Sequence, residues 1–314
     1  MLAFFGRRLG VGILMIFVVG VLAFSLLYLT SGDIARNLLG DLASEEVVRA
    51  RAAEMGLDRP LIAQFGTWLA DAVRGNFGQS WFRAASVSEL LATRLTVTLS
   101  LVLLAVGVSA IVATVLGVAA ATRAGGIVDR VVQFVSLLGV AIPSFLIALA
   151  LVLVFAINLG WLNPTGFVQP SESVGGWLAS VLLPVLALCS SGVAGAAQQV
   201  RGAMIDVLGQ DYVRTLRAGG VPARSVIYKH TLRNAAGPGI SVLGLQFIGM
   251  MGGAVVIENL FVIPGLGTLS AQSTMQGDIP VIMGVVVTIA IIVILVNLII
   301  DLIQGWLNPK VRVE

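Results

Sequence analysis

Six of the nineteen lysine and arginine residues of this 314-residue chain fall in one segment, Arg201–Arg233. It reads Asp211-Tyr212-Val213-Arg214-Thr215-Leu216-Arg217-Ala218-Gly219-Gly220-Val221-Pro222, then passes Arg224 to Lys229-His230-Thr231-Leu232-Arg233-Asn234. These residue types suit binding better than bond-making. His230 is the only histidine, so a serine-hydrolase triad would have to use it among cations, and no G-x-S-x-G elbow accompanies it. A lone histidine also excludes a His-rich metal site and an H-E-x-x-H motif. No G-x-x-x-x-G-K-[ST] phosphate loop exists, because the only lysines, Lys229 and Lys310, do not follow glycines. The one cysteine, Cys189, can form neither an internal disulfide nor a cysteine-based metal site. The chain is therefore expected not to be an enzyme and to hold no cofactor or metal of its own. Dense cations beside apolar residues fit contact with a soluble protein partner.

The spacing indicates how such a surface would be built. Ile205, Leu208, Tyr212 and Leu216 recur on one face of a helix, with Arg214 and Arg217 on another. Gly219-Gly220 should stop that helix, since glycine accepts the left-handed cap conformation. Pro222 suits the first turn of a second helix, on which Lys229 and Arg233, four apart, share a face. Two short helices meeting at a glycine corner result. A solvated basic loop that merely sets topology is the other reading of the same residues.

The remainder of the chain is membrane-like. It is 58% hydrophobic and 11% charged, with a mean hydropathy of +1.00. A soluble domain needs more charge to cover its surface. Six charge-free windows could each cross a bilayer: Leu9–Gly32, Leu95–Thr122, Val131–Ser171, Ser173–Val200, Asn234–Ile257 and Ile279–Ile300. In lipid these must be helices. The third should end near Asn158, with a kink at Pro143. The expected fold is all-α, a polytopic membrane protein with six transmembrane helices. Leu9–Leu29 is longer than a signal-peptide core and is read as an uncleaved first span.

Basic residues mark alternate loops: Arg7 and Arg8; Arg123 and Arg130; the Arg201–Arg233 segment; Lys310 and Arg312. By the positive-inside rule both termini are expected in the cytoplasm. The net charge of +3 is thus a topology signal, and no nucleic-acid motif is present. Residues 33–94 should form an external cap, with helices at Ser44–Met55 and Pro60–Val73, the latter packing through Ile62, Phe65, Leu69 and Val73. Amides and hydroxyls in the spans, among them Gln133, Ser136, Ser144, Gln198, Gln199, Gln246 and Asn297, could either join helices or line a polar path. No ionisable pair at mid-membrane suggests proton coupling. Gly249 and Gly253 form a G-x-x-x-G that favours close helix packing.

The segment Asp211–Pro238, DYVRTLRAGGVPARSVIYKHTLRNAAGP, closely resembles the cytoplasmic EAA coupling loop of ABC-importer permeases. In the dipeptide/oligopeptide/nickel branch that loop reads DYVRTARAKGL…HALRNA…P. Arg214-Thr215-Leu216 occupies the Glu-Ala-Ala place, Gly220 the family glycine, and Gly219 replaces a usual lysine. Arg7-Arg8-Leu9 and Ser31-Gly32-Asp33 resemble the branch's opening and its P-G-D. Leu57-Asp58-Arg59-Pro60-Leu61 and Gly75-Asn76-Phe77-Gly78-Gln79-Ser80 resemble L-D-[RKQ]-P and G-[DN]-[LF]-G-x-S. Glu258–Leu269, ENLFVIPGLGTL, resembles E-x-[VI]-F-x-[IY]-P-G-L-G.

The resemblance covers nearly the whole chain and implies a type I ABC-importer permease of the B-type, in a bacterial inner membrane. It implies a second homologous permease, two ATP-binding subunits that use ATP and Mg, and an extracytoplasmic substrate-binding protein as partners. Asp211, Tyr212, Arg214, Arg217, Gly220, Val221, Pro222, Arg224, His230, Arg233 and Asn234 would couple to an ATPase. Glu258, Phe261, Pro264, Gly265 and Gly267 would lie on the binding-protein side. Residues 1–314 would form one permease domain, with the cap at 33–94 and the coupling loop at 201–233. Small peptides are the expected cargo. Nickel, glutathione or another solute, and an ATP-independent channel or carrier, remain open.

Overall fold

The computed structural model describes residues 2–30, 34–40 and 42–307. The Ser31-Gly32-Asp33 match and the basic residues Lys310 and Arg312 lie outside them. Among the described residues all regular structure is helical, apart from one isolated antiparallel bridge, Gln79 to Ser86. The chain divides into two compact units, Met1–Val97 with Pro264–Leu295 and Thr98–Ile263 with Val296–Glu314.

Among the described residues five helices are long and apolar enough to cross a membrane, and a bent helix pair makes a sixth if it counts as one span. They are α1 (Leu2–Thr30), α5 (Val87–Ala121), α8 (Val174–Leu208), the continuous helix Ala223–Phe261 and α13 (Ile279–Leu307). The bent pair is α6 (Ile127–Ala141) and α7 (Ser144–Leu151), the latter continued by a π-helical stretch to Asn158. The expected kink at Pro143 is instead a break, with the two arms 99° apart. Pro143 forces the preceding residue out of helical space. Ile142 is extended (φ −88°, ψ 121°) and Pro143 follows in kind (φ −57°, ψ 138°), so a turn is lost rather than one hydrogen bond.

In the first unit the 33–94 segment holds α2 (Ile34–Leu39), α3 (Glu45–Glu54) and α4 (Leu61–Ala72). Glu45 and Glu46 occupy the first turn of α3 and Arg51 the last, as the helix dipole favours. The packed face of α4 differs from the expected one. Ile62 and Val73 are exposed, whereas Phe65 and Trp68 pack with Phe24 of α1, ring centroids 5.3 and 6.5 Å away. The large indole of Trp68 draws the helix around by its own apolar area.

The Gly75–Ser80 motif acquires a structural meaning here. Gly75 and Gly78 take positive φ, at 81° and 87°. The chain then turns so that Ser80 Oγ donates to Asp278 Oδ2 at 2.5 Å and Trp81 N–H donates to Oδ1 at 3.2 Å. Arg83 lies 3.6 Å from the same fully buried carboxylate and donates to Ser273 Oγ. Val87 and Leu91 pack with Leu266, Leu269, Val281 and Val285.

In the second unit small residues let the helices close up. A Cβ on Gly117 would stand 2.7 Å from Val200 and 2.9 Å from the Ala197 carbonyl, and one on Gly139 would stand 3.0 Å from Ala194. A Cβ on Gly244 would overlap Ile300. Gly249 of the G-x-x-x-G pair meets nothing within 4 Å, so that motif is not the close approach.

Candidate functional site

The 201–233 segment is built from three helices. The fourth span, α8, runs on to Leu208, so Arg201 and Asp206 belong to that helix and not to a loop. Gln210 is extended (φ −74°, ψ 148°) and starts α9 (Asp211–Ala218). The single helix expected from Ile205, Leu208, Tyr212 and Leu216 is therefore broken at Gly209-Gln210. Asp211 in the first turn and Arg217 in the last suit the dipole of the short helix. Val213 is fully buried, Tyr212 and Leu216 are half-buried, and Asp211, Arg214 and Arg217 are exposed.

The corner after α9 is a Schellman motif. Val221 N–H donates to the Leu216 carbonyl and Gly220 N–H to that of Arg217, both at 3.1 Å. Gly220 takes the left-handed conformation (φ 77°), while Gly219 stays ordinary (φ −74°). Only one of the two glycines is required by the backbone. Pro222 is the residue before the next helix (φ −56°, ψ 138°), one position earlier than expected.

That next helix is not short. It begins as α10 (Ala223–Ser225), passes through a π-helical stretch (Val226–Thr231) and continues as α11 (Leu232–Phe261). The corner thus feeds straight into the fifth span. Arg224, Lys229 and Arg233 are exposed and His230 is half-buried. Tyr228, 62% exposed, adds an aromatic ring to the basic surface that charge counting overlooks. Exposed tyrosines are over-represented in protein interfaces.

The other side of the segment is anchored. Tyr212, Ile227 and Leu232 pack on a cluster of Val118, Val200, Met204, Val207 and Ala235, drawn from the ends of three spans. Asn234 Nδ2 donates to Tyr212 Oη at 2.8 Å. Nearby in chain terms, Arg201 forks onto Asp129: Nη2 donates to Oδ2 at 2.8 Å and Nε to Oδ1. Gln133 Nε2 (2.9 Å) and the Gly125 N–H (2.8 Å) complete the carboxylate's shell, and Asp129 is 1% exposed. This pair ties α6 and its preceding turn to α8. Sequence reasoning missed it because the two residues are distant in the chain and each counts only as a loop charge.

The residues expected on a binding-protein surface are placed differently. Glu258, Phe261, Gly265 and Gly267 are buried, and only Pro264 is exposed. Glu258 lies inside α11 and accepts from Thr98 Oγ1 at 2.5 Å. Leu266–Gln276 forms a helix, α12, rather than a loop, with Thr268 Oγ1 accepting from the Gly265 N–H at 3.0 Å. The motif's apolar residues are used for packing, and four of the five are buried within the chain.

Residues 113–313 match the family described as binding-protein-dependent transport system inner membrane component, and residues 1–102 match that described as its N-terminal membrane component. The chain belongs to this permease family. The relatives named next match it over nearly their full length. It is 38% identical over 306 residues to the probable peptide ABC transporter permease protein y4tP of Sinorhizobium fredii, covering 98% of each chain. It is 35% identical over 316 residues to the oligopeptide transport system permease protein AppB of Bacillus subtilis, covering 99% of this chain and all of that one. It is 34% identical over 297 residues to the glutathione transport system permease protein GsiC of Escherichia coli, covering 95% and 94%. As a member of the permease family it is a multi-pass inner-membrane component of a transport system that depends on a substrate-binding protein and on an ATPase.

Proposed function

We propose that this chain is one of two homologous membrane subunits of an importer for small peptides, with two separate ATP-binding subunits beneath them. Relatives whose names specify peptide, oligopeptide and glutathione transport support this cargo class. Glutathione is itself a tripeptide and fits the same reading. Both termini face the cytoplasm, where the Arg201–Arg233 segment meets an ATPase that supplies ATP and Mg chemistry.

The observation that carries the coupling role is the two-sided build of that segment. Its apolar side is packed on the ends of three spans, and its basic side is exposed and carries Arg214, Arg217, Arg224, Tyr228, Lys229 and Arg233. Because α10 and α11 are one helix, a push at the corner moves the fifth span directly. Asp211, Tyr212, Gly220, Val221, Pro222, His230 and Asn234 shape this element, and the exposed cations present it. A loop that only set topology would need charge but no anchored corner. The test is reconstitution in proteoliposomes with the second permease, the ATPases and the binding protein. Peptide-loaded binding protein should stimulate hydrolysis and drive uptake. Uptake without ATP would sink the proposal.

A further inference from the structure

The second unit holds a cavity of about 260 Å³ lined by Ser144, Ser191, Gly192, Gln246, Gly249 and Met250 among others, with no ionisable side chain in its wall. Gln246 Nε2 donates to the Gly192 carbonyl at 2.6 Å, but its Oε1 is buried without a partner. A buried acceptor left unpaired is costly, so a donor brought to it would be held. The Met250 methyl fills the niche beside Gly192: a Cβ on Gly192 would stand 2.4 Å from Met250 Cε and 3.2 Å from that oxygen. The second observation is the helix break. Ser144 follows Pro143 directly, in the middle of the bent span. Non-helical backbone at membrane depth is tolerated where it is packed in protein or lines a wet cavity, and Ala141, Ile142 and Pro143 are exposed on this chain.

We propose that this cavity is a stretch of the translocation-path wall where, once the Met250 methyl swings aside, a main-chain N–H of a passing peptide donates to Gln246 Oε1. The inference rests on the peptide-import reading and deepens it. A neutral acceptor reads the peptide backbone and ignores the side chains, which suits a path serving many sequences. One hydrogen bond holds weakly enough to release, as conduction demands. Met250, pliable and unbranched, allows the wall to adjust.

The complete complex in proteoliposomes, with trialanine as probe, tests this. Gln246→Leu removes the acceptor together with the bond to the Gly192 carbonyl and should lower uptake about tenfold, with ATPase attachment kept. Gly249→Leu fills the cavity without touching that bond, since a Cβ there meets nothing within 4 Å. It should block uptake in an assembled complex. In a Cys189→Ser background, Gly249→Cys should react with a hydrophilic thiol reagent, more slowly during trialanine turnover. Wild-type uptake with unaltered uptake in both variants, or labelling that transport does not slow, would overturn the inference alone. No trialanine uptake by the wild-type complex would overturn the import reading and this inference with it.

Discussion

Asn234 and Tyr212 are joined across the glycine corner, the amide of Asn234 donating to the phenol oxygen at 2.8 Å. The bond links α9 to the base of the fifth span, so the two arms of the corner move as one body. An exposed hydrogen bond is worth about 0.5–1.5 kcal/mol, too little to decide folding but enough to loosen a lever. Tyr212→Phe should insert and assemble normally while peptide-stimulated hydrolysis falls about two- to tenfold relative to the basal rate. A stimulated rate equal to wild type would show that the bond transmits nothing.

Asp129 and Arg201 should matter for stability. Removing one partner of an ion pair strands the other charge. The loss is moderated because the Arg201 side chain stays 23% exposed and water screens part of its charge. Asp129→Asn should lower Tm in detergent, and combining Asp129→Leu with Arg201→Met should recover most of the loss. A double variant as unstable as the single one would mean that packing, not charge pairing, sets the effect.

Val262 ends α11 in the left-handed region (φ 55°) and is the only non-glycine there among the described residues. For a β-branched side chain this strain costs about 1–3 kcal/mol. Val262 is exposed, so little packing is at stake. Val262→Asn should raise Tm by a few degrees, and a lowered Tm would show that the valine makes contacts that outweigh the strain.

The orientation has its own check. In a Cys189→Ser background, cysteines replacing Ser88 and Ser171 should react with an impermeant thiol reagent added outside sealed cells, and one replacing Ser225 should not. Labelling at Ser225 would reverse the assignment of sides.

Much of this was legible in the sequence where local chemistry decides. Pro60 and Val73 flank α4, and Gly220 takes the left-handed cap, because caps and turns are set by the residues that form them. Local pattern fails where a distant partner decides. The Ile205–Leu216 periodicity continues through the Gly209-Gln210 break, since both helices bury their apolar side in the same cluster. Ile62 loses its expected place to Trp68, whose partner Phe24 lies on another helix. Glu258 reads as a loop acid because a carboxylate seldom lies inside an apolar span, and its partner Thr98 is far away in sequence. Asp129 and Arg201 carry no mark of one another until the chain is folded.

The corner glycines test the coupling role most directly. Gly219 has an ordinary backbone, and a Cβ there would stand 3.4 Å from the Thr215 carbonyl; Gly220 has φ 77° and nothing within 4 Å of a Cβ. Gly219→Lys should therefore behave as wild type. A Cβ at Gly220 meets nothing, but Gly220→Tyr bears steric strain of about 1–2 kcal/mol, and it places a bulky ring on the face proposed to meet the ATPase without changing charge at neutral pH. It should insert and pair with the second permease, yet lose ATPase attachment or peptide-stimulated hydrolysis. The decisive measurement is binding-protein-stimulated ATPase activity of the two variants in the assembled complex. Stimulation should persist in Gly219→Lys and be lost in Gly220→Tyr; wild-type stimulation in Gly220→Tyr would contradict the coupling role.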